Sequence, residues 1–173
     1  LKKHYVILFS DIVDALDDHP EALKFYIGHE LGHIKQNHLI WAPLIAPVAW
    51  LPLIGAGYSR AREITCDNYG RACCATSDDA VKAMSALMVG AIRWKTLNID
   101  VLMKQAKYTS GFWMSFHEII GNYPWLVRRI ALLKNNGEDK LPKRNPFAWA
   151  LGLFVPKLSI MSFVILYLLI LVA

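Results

Sequence analysis

Residues 29–33, which read HELGH, have the types and spacing most directly suited to chemistry. They lie within residues 21–40, where apolar side chains recur at helical spacing, so His29 and His33 are predicted one turn apart on one helix face. Two imidazoles placed this way can bind one Zn²⁺, and Glu30 can accept the proton of a water in the fourth position of the metal. The motif therefore predicts a metal-dependent hydrolase that attacks a peptide carbonyl.

A catalytic zinc site of this kind needs a third protein ligand besides the water. The motif does not continue as HExxHxxGxxH, because Gln36 and Leu39 occupy the positions of that glycine and third histidine. The stretch SRAREITCD at 59–67 instead offers Glu63 and Asp67 one helical turn apart. Such a pair alone is more often a solvated helix face, but the upstream HELGH favours Glu63 as the third ligand. Asp67 is then predicted to hydrogen-bond the far ring nitrogen of a ligating histidine.

The other histidines and the cysteines receive structural interpretations. His38 lies five residues after His33 and is predicted to point to another face of the helix, at the protein surface. The three cysteines, Cys66, Cys73 and Cys74, cannot make a paired disulfide framework, and two of them are adjacent. We therefore expect free thiols packed inside a protein of a reducing compartment.

Composition limits the class of protein. The chain has 173 residues, an apolar fraction of 55% and a net charge of +5, which together exclude intrinsic disorder and allow one domain plus an appendage. Basic residues are spread along the sequence without a nucleic-acid-binding motif, so nucleic acid is not expected as a partner. The first residue is Leu1 rather than Met, and we interpret the chain as a fragment of a longer protein.

The predicted fold class is α+β and mostly helical. Residues 4–10 are β-branched and aromatic and predict a short strand. Helical spacing, capping residues and proline positions predict helices over the following segments: 21–40, 58–74, 77–94, 99–120 with a break near 110, and 124–136.

Two apolar runs bear on localisation. Residues 147–173 carry Lys157 as their only charge, and 158–173 would reach roughly 24 Å as a helix, which predicts a truncated C-terminal transmembrane helix. A basic linker at 138–146 precedes this membrane segment and separates it from a catalytic domain at 1–137. The second run, residues 39–57, is uncharged but interrupted by three prolines, which leaves a proline-broken loop and a membrane-dipping hairpin both open.

HELGH followed by SRAREITCD resembles the HtpX-type and CAAX-prenyl-protease family of integral-membrane zinc metallopeptidases, which are gluzincins. The resemblance implies a zincin-like metalloprotease domain in which a short edge strand lies beside the substrate. It implies that His29, His33 and Glu63 hold one Zn²⁺ per chain. It further implies that Glu30 is the catalytic glutamate and that Asp67 is an acidic residue that contacts a ligating histidine without binding the metal itself.

A later segment of the chain shows a departure from this family. Residues 122–130, NYPWLVRRI, resemble its His-Pro…Arg-Ile segment, but Tyr123 stands where the family usually has histidine. The residue that stabilises the oxyanion is therefore left open among Tyr123, His117 and Arg129, since each can donate a hydrogen bond.

These observations together predict a membrane-anchored zinc endopeptidase that acts on protein or peptide substrates at or near the membrane, for instance in membrane-protein quality control. The alternative is a catalytically silent membrane interaction protein with a structural zinc site. A single bilayer crossing by residues 39–57 would separate His33 from Glu63, so this run is predicted as a membrane-proximal hairpin or loop. The basic stretch 134–144 places the catalytic domain on the cytoplasmic face of the inner membrane, with lipid as a second partner. The oligomeric state is left undetermined.

Overall fold

The computed structural model describes residues 5–135, 141–155, 167 and 170–171. Helices account for all the regular secondary structure in these ranges. The α-helices are α1 (Ser10–Ala15), α2 (Pro20–Lys35), α3 (His38–Ala49), α4 (Ile54–Cys73), α5 (Ser77–Val89), α6 (Ile99–Gln105), α7 (Phe112–Ile120), α8 (Leu126–Lys134) and α9 (Pro146–Gly152). Two short 3₁₀ helices, Arg93–Thr96 and Ala106–Ser110, connect α5 to α6 and α6 to α7.

The predicted α+β class is wrong, because the described residues contain no strand and the described fold is all-α. Of the predicted strand at 4–10, residues 5–9 carry no regular structure and Ser10 already begins α1. A strand needs a neighbour to pair its N–H and C=O groups, and the described part of the chain offers none. The Phe9 carbonyl instead accepts hydrogen bonds from the backbone N–H groups of Ile12 and Val13 in the first turn of α1.

The predicted C-terminal transmembrane helix is likewise not found. Within the described ranges, none of the helices combines the length and the apolar character needed to span a bilayer. Most of the predicted span at 158–173 lies outside the described residues, and so do residues 138–140 of the linker, whereas 141–145 carry no helix and Pro146 begins α9. The domain boundaries at 137 and 147 therefore stay predictions.

Residues 39–57 form most of α3, a tight turn and the first turn of α4. Pro43 and Pro47 lie inside α3, so this segment is helical despite the prolines that argued for a loop. The turn into α4 is close: a Cβ on Gly55 would overlap the backbone of Ala49, and Leu53 has a positive φ of 63°. The position of residues 39–57 relative to a membrane stays a prediction.

The antiparallel pair α2 and α4 forms the centre of the fold. Gly28 and Gly32 of α2 face Cys73 and Cys66 of α4, and a Cβ on either glycine would lie within 3.2 Å of α4 atoms. Gly70 of α4 contacts the Phe25 backbone in the same way. The missing side chains let the two backbones approach closely, which brings HELGH directly against the SRAREITCD segment.

The main hydrophobic core lies beside this pair, where α2, α5 and α8 meet. Its fully buried members are small and large apolar residues that interdigitate: Leu16, Ala22, Phe25, Ala80, Ala83, Met84, Ile130 and Leu133. The sequence prediction of a helix start after Thr76 is confirmed, since Thr76 and Asp79 form a reciprocal capping box at the start of α5.

A network of buried charges fixes α7 and the loop that follows it. Arg60 of α4 donates hydrogen bonds from Nη1 to the carbonyl oxygens of Glu118, Ile119 and Gly121 at the C-terminal end of α7. The buried Glu118 carboxylate accepts hydrogen bonds from Arg128 and Arg144. These contacts hold residues 121–125, and therefore Tyr123, in a defined position near α4.

Candidate metal centre

The structure brings three predicted ligands together from two helices. Nε2 of His29 lies 3.3 Å from Nε2 of His33, as expected for imidazoles one turn apart on α2. The Glu63 carboxylate on α4 lies 3.6 Å from Nε2 of His29 and 3.8 Å from Nε2 of His33. All three side chains thus direct ligand atoms toward one point.

This arrangement fits a zinc ion. Ligands at about 2.0–2.1 Å from a tetrahedral metal lie about 3.4 Å from one another, close to the three separations observed. The three ligand atoms lie within 4.8 Å of one another, and two imidazole nitrogens with one carboxylate leave a fourth position for water. The donor set therefore suits a catalytic rather than a closed structural zinc site.

Burial shifts the pKa values of two of these groups, toward the metal-binding form for His33 and away from it for Glu63. Burial, followed by the neighbouring charges of His29 and His38, lowers the pKa of His33 to about 4. The imidazole is consequently neutral near pH 7, and its lone pair is available to a metal. Burial also raises the pKa of Glu63, although Arg129 and His29 act in the opposite direction.

Asp67 lies behind the first histidine. Its Oδ1 is 3.0 Å from Nδ1 of His29, on the ring edge opposite the metal position. Arg129 on α8 donates from Nε to Oδ2 and from Nη2 to Oδ1 of Asp67, both at 2.6 Å. Asp67 is therefore held in place by a two-point ion pair, and it can fix the His29 ring with its hydrogen on Nδ1.

A cavity of about 360 Å³ opens beside these ligands. Glu30 lines it together with His29 and Glu63, so a water next to the metal position would lie within reach of the Glu30 carboxylate. The rest of its wall is largely apolar and comes from the N-terminal segment and from α1, α2 and α5: Ile7, Leu8, Phe9, Ile12, Phe25, Tyr26 and Leu87.

The three candidates for stabilising the oxyanion have different surroundings. Tyr123 lines the cavity and is 64% exposed, so its hydroxyl is accessible to a bound substrate. Arg129 also lines the cavity, but its guanidinium is buried and engaged with Asp67. His117 is exposed on α7 and does not line this cavity. The geometry favours Tyr123, and the assignment stays a prediction.

His38 was missed by sequence reasoning. It is 8% exposed, not a surface residue, and its Nδ1 lies 2.9 Å from Nδ1 of His33. The spacing rule failed because α2 ends at Lys35 and Asn37 adopts a left-handed conformation with φ of 55°, so the chain turns back. The signal available was a third histidine just beyond HELGH, near residues that favour a helix end.

Two histidines of an HExxH helix and a glutamate from a second helix form a donor set used by zinc metallopeptidases. Residues 1–50 match the sequence profile of Peptidase family M48. The match includes HELGH and ends before Glu63, so this part of the chain is similar to the M48 metallopeptidases, which are zinc-dependent. The prediction of a metalloendopeptidase is thereby confirmed at the level of enzyme class. No curated protein and no solved structure shows significant similarity to the chain.

Proposed function

We propose that the protein is a zinc-dependent endopeptidase of the HtpX-like or CAAX-prenyl-protease type, which cleaves proteins at a membrane surface. The observation that carries this proposal is the convergence of the His29 and His33 nitrogens and the Glu63 carboxylate within 4.8 Å, beside Glu30 and an open cavity. The subfamily rests on the succession of HELGH and SRAREITCD and on the apolar segments of the chain.

The residues of the chain have separable tasks in this reaction. His29, His33 and Glu63 would hold the zinc, which when bound supplies the positive charge that acidifies a water and polarises a peptide carbonyl. Glu30 accepts the proton of the attacking water and then delivers it to the departing amine. Tyr123 donates a hydrogen bond to the carbonyl oxygen as negative charge develops there. The apolar cavity wall receives a side chain of the substrate.

The proposed membrane location is supported by exposed apolar side chains. On α3, Leu39 is 76% exposed, Leu44 is 67% exposed and Trp41 is 51% exposed, which is a large apolar surface for a helix facing water. The end of α9 lies near the turn between α3 and α4, because Gly152 faces Leu53. Exposed apolar residues continue along this segment: Phe147, Trp149, Leu151, Leu153 and Phe154.

The proposed orientation is the cytoplasmic face of the inner membrane. Lys134, Lys140, Lys143 and Arg144 lie close together in sequence before the apolar C-terminal run, and basic residues near membrane segments favour the cytoplasmic side. An endopeptidase at that surface is suited to removing damaged membrane proteins, and we propose membrane-protein quality control as its setting.

Metal analysis combined with a proteolysis assay tests the catalytic proposal. We expect wild-type protein to carry about one zinc per chain and to cleave an unfolded protein substrate, with activity lost on chelation. Glu30→Gln should retain the metal but lose at least about 100-fold in activity, since it removes the proton acceptor. Glu63→Ala should lose both metal and activity.

The same experiment separates the rival function. A catalytically silent protein with a structural zinc site would retain metal in Glu30→Gln and show the same binding behaviour as wild type, with no proteolysis by either. That result, or a wild-type protein that binds no zinc, would contradict the proposed function.

A further inference from the structure

His38 has a relation to His33 that parallels the relation of Asp67 to His29. The Asp67 carboxylate lies 3.0 Å from Nδ1 of His29, and Nδ1 of His38 lies 2.9 Å from Nδ1 of His33. In both pairs the contact is made on the ring edge that faces away from the metal position. Both partners are buried, at 4% exposure for Asp67 and 8% for His38.

Metal binding fixes where the protons lie on the two rings. Nε2 of His33 faces His29 and Glu63, so its lone pair must be free for the metal and its hydrogen must be on Nδ1. Two ring nitrogens 2.9 Å apart can share only one hydrogen, so Nδ1 of His38 must be the acceptor. His38 then carries its own hydrogen on Nε2.

We infer that His38 is a positioning residue for the metal site: it accepts a hydrogen bond from Nδ1 of His33 and so holds that ligand in the correct tautomer and orientation. This inference rests on the proposed function, because it assigns a partner to one of the proposed zinc ligands. It extends that function by giving each ligating histidine its own fixed acceptor, one charged and one neutral.

The local backbone supports this task. α2 ends at Lys35, two residues after His33, and α3 begins at His38 after the left-handed Asn37. The turn therefore brings the first residue of α3 back beside the last turn of α2. The ring planes of His33 and His38 meet edge to face, with centroids 5.0 Å apart.

A second metal ion is the competing use of the same residues. His33, His38 and Cys66 also have ligand atoms close together, with Sγ of Cys66 3.7 Å from Nδ1 of His38. The geometry disfavours this use, because Nδ1 of His38 already lies 2.9 Å from Nδ1 of His33. A cation at this position would also compete for Nδ1 of His38 with the hydrogen bond from His33.

Zinc affinity of the full chain, measured by competition with a chelating dye, tests the inference. We expect His38→Leu, which removes the acceptor, to weaken zinc binding roughly 10- to 100-fold. His38→Asn places an amide oxygen at the position of Nδ1 and should restore most of this affinity. Cys66→Ala is the matched control, since it removes the other neighbour of His38 and leaves the acceptor intact, and it should bind zinc like the wild type.

A spectroscopic measurement covers the case in which His38→Leu does not fold. Nitrogen-15 NMR of the zinc-loaded wild type should show His33 protonated on Nδ1 and His38 protonated on Nε2. The opposite pattern at His38, or equal zinc affinity in wild type and His38→Leu, would overturn the inference while leaving the proposed function intact. Binding of two zinc ions, with one lost in Cys66→Ala, would also overturn it. A wild type that binds no zinc would contradict both.

Discussion

At the scale of single residues, the two proposed histidine ligands differ in the group that each contacts through Nδ1. His29 faces the Asp67 carboxylate, which a two-point ion pair from Arg129 holds in place, whereas His33 faces the neutral ring of His38. A carboxylate partner makes an imidazole more basic and a stronger ligand than a neutral partner does. We therefore expect His29 to be the more firmly bound of the two ligands.

Tyr123 gives a prediction at this scale. Tyr123→Phe removes only the hydroxyl from an exposed ring that lines the cavity, so folding and zinc content should match those of the wild type. If the hydroxyl stabilises the oxyanion, kcat should fall roughly 100- to 1,000-fold with little change in KM. Steady-state kinetics on a peptide substrate measures this.

The same substitution at His117 provides the comparison. His117→Phe alters an exposed residue that does not line the cavity, and its kcat should remain within about threefold of the wild-type value. A large loss in His117→Phe together with an unaffected Tyr123→Phe would reverse the two assignments.

Sequence reasoning succeeded for residues whose relation is set by one helix. The spacing of His29 and His33, and of Glu63 and Asp67, follows from the helical repeat, and the structure places each pair on one face as that repeat requires. That the two pairs meet was inferred only from the chemical need for a third ligand. His38 was misplaced because the helical repeat does not apply beyond the end of α2.

At the scale of elements, the metal position depends on how closely α2 and α4 approach. Gly28, Gly32 and Gly70 have no Cβ at the points of contact, and larger residues there would push the helices apart. Every ligand distance across the pair, from His29 or His33 to Glu63, would grow with that separation. These glycines are therefore needed for packing, although none of them contacts the metal position.

Gly70→Ala tests this dependence. The new methyl group would lie 2.6 Å from the Phe25 carbonyl oxygen and within 2.9 Å of its ring, and backbone cannot move aside cheaply. We expect a loss of roughly 1–3 kcal/mol in the free energy of unfolding, measured by urea denaturation, together with weaker zinc binding.

Gly57→Ala is the matched control, since it lies in the same helix and its Cβ would meet only the Arg60 side chain at 3.8 Å. Alanine favours helix over glycine by up to about 1 kcal/mol, so this variant should be as stable as the wild type or more stable. A Gly70→Ala protein as stable as Gly57→Ala would show that the close approach is not needed.

The element predictions failed where a local preference needed a distant partner. The residues before Ser10 favour a strand by type, but no second strand exists among the described residues to pair with them. In contrast, the start of α5 depends only on Thr76 and Asp79, two residues three positions apart that cap the helix reciprocally, and it was predicted correctly. Prolines 43 and 47 were given too much weight, because α3 accommodates both.

At the scale of the whole molecule, α3 and α9 expose many large apolar side chains, which is unusual for helices that face water. Exposed leucine, isoleucine and tryptophan side chains dominate α3, while the buried members of this helix are few. Contact with a lipid surface would remove this apolar area from water, at about 25 cal/mol per Å². The proposed membrane location follows from this surface and from the apolar sequence after it.

Binding of the full chain to phospholipid vesicles tests that location. Leu39→Glu combined with Leu44→Glu places charges at two of the most exposed positions of α3, and we expect vesicle affinity to fall at least about tenfold, measured by co-sedimentation. Ile92→Glu alters an even more exposed apolar residue outside α3 and α9 and should bind like the wild type. Equal affinity in all three proteins would contradict the use of α3 as the contact surface.

One turn of α4 carries both Glu63 and Arg60. The Arg60 guanidinium donates hydrogen bonds to the carbonyl oxygens at the C-terminal end of α7. Any shift of this helix along or away from α2 must therefore carry the third ligand and the base of the Tyr123 loop in the same direction. Arg60 thereby links the position of the Tyr123 loop to that of Glu63, on one side of the cavity, whereas the histidines belong to a separate helix.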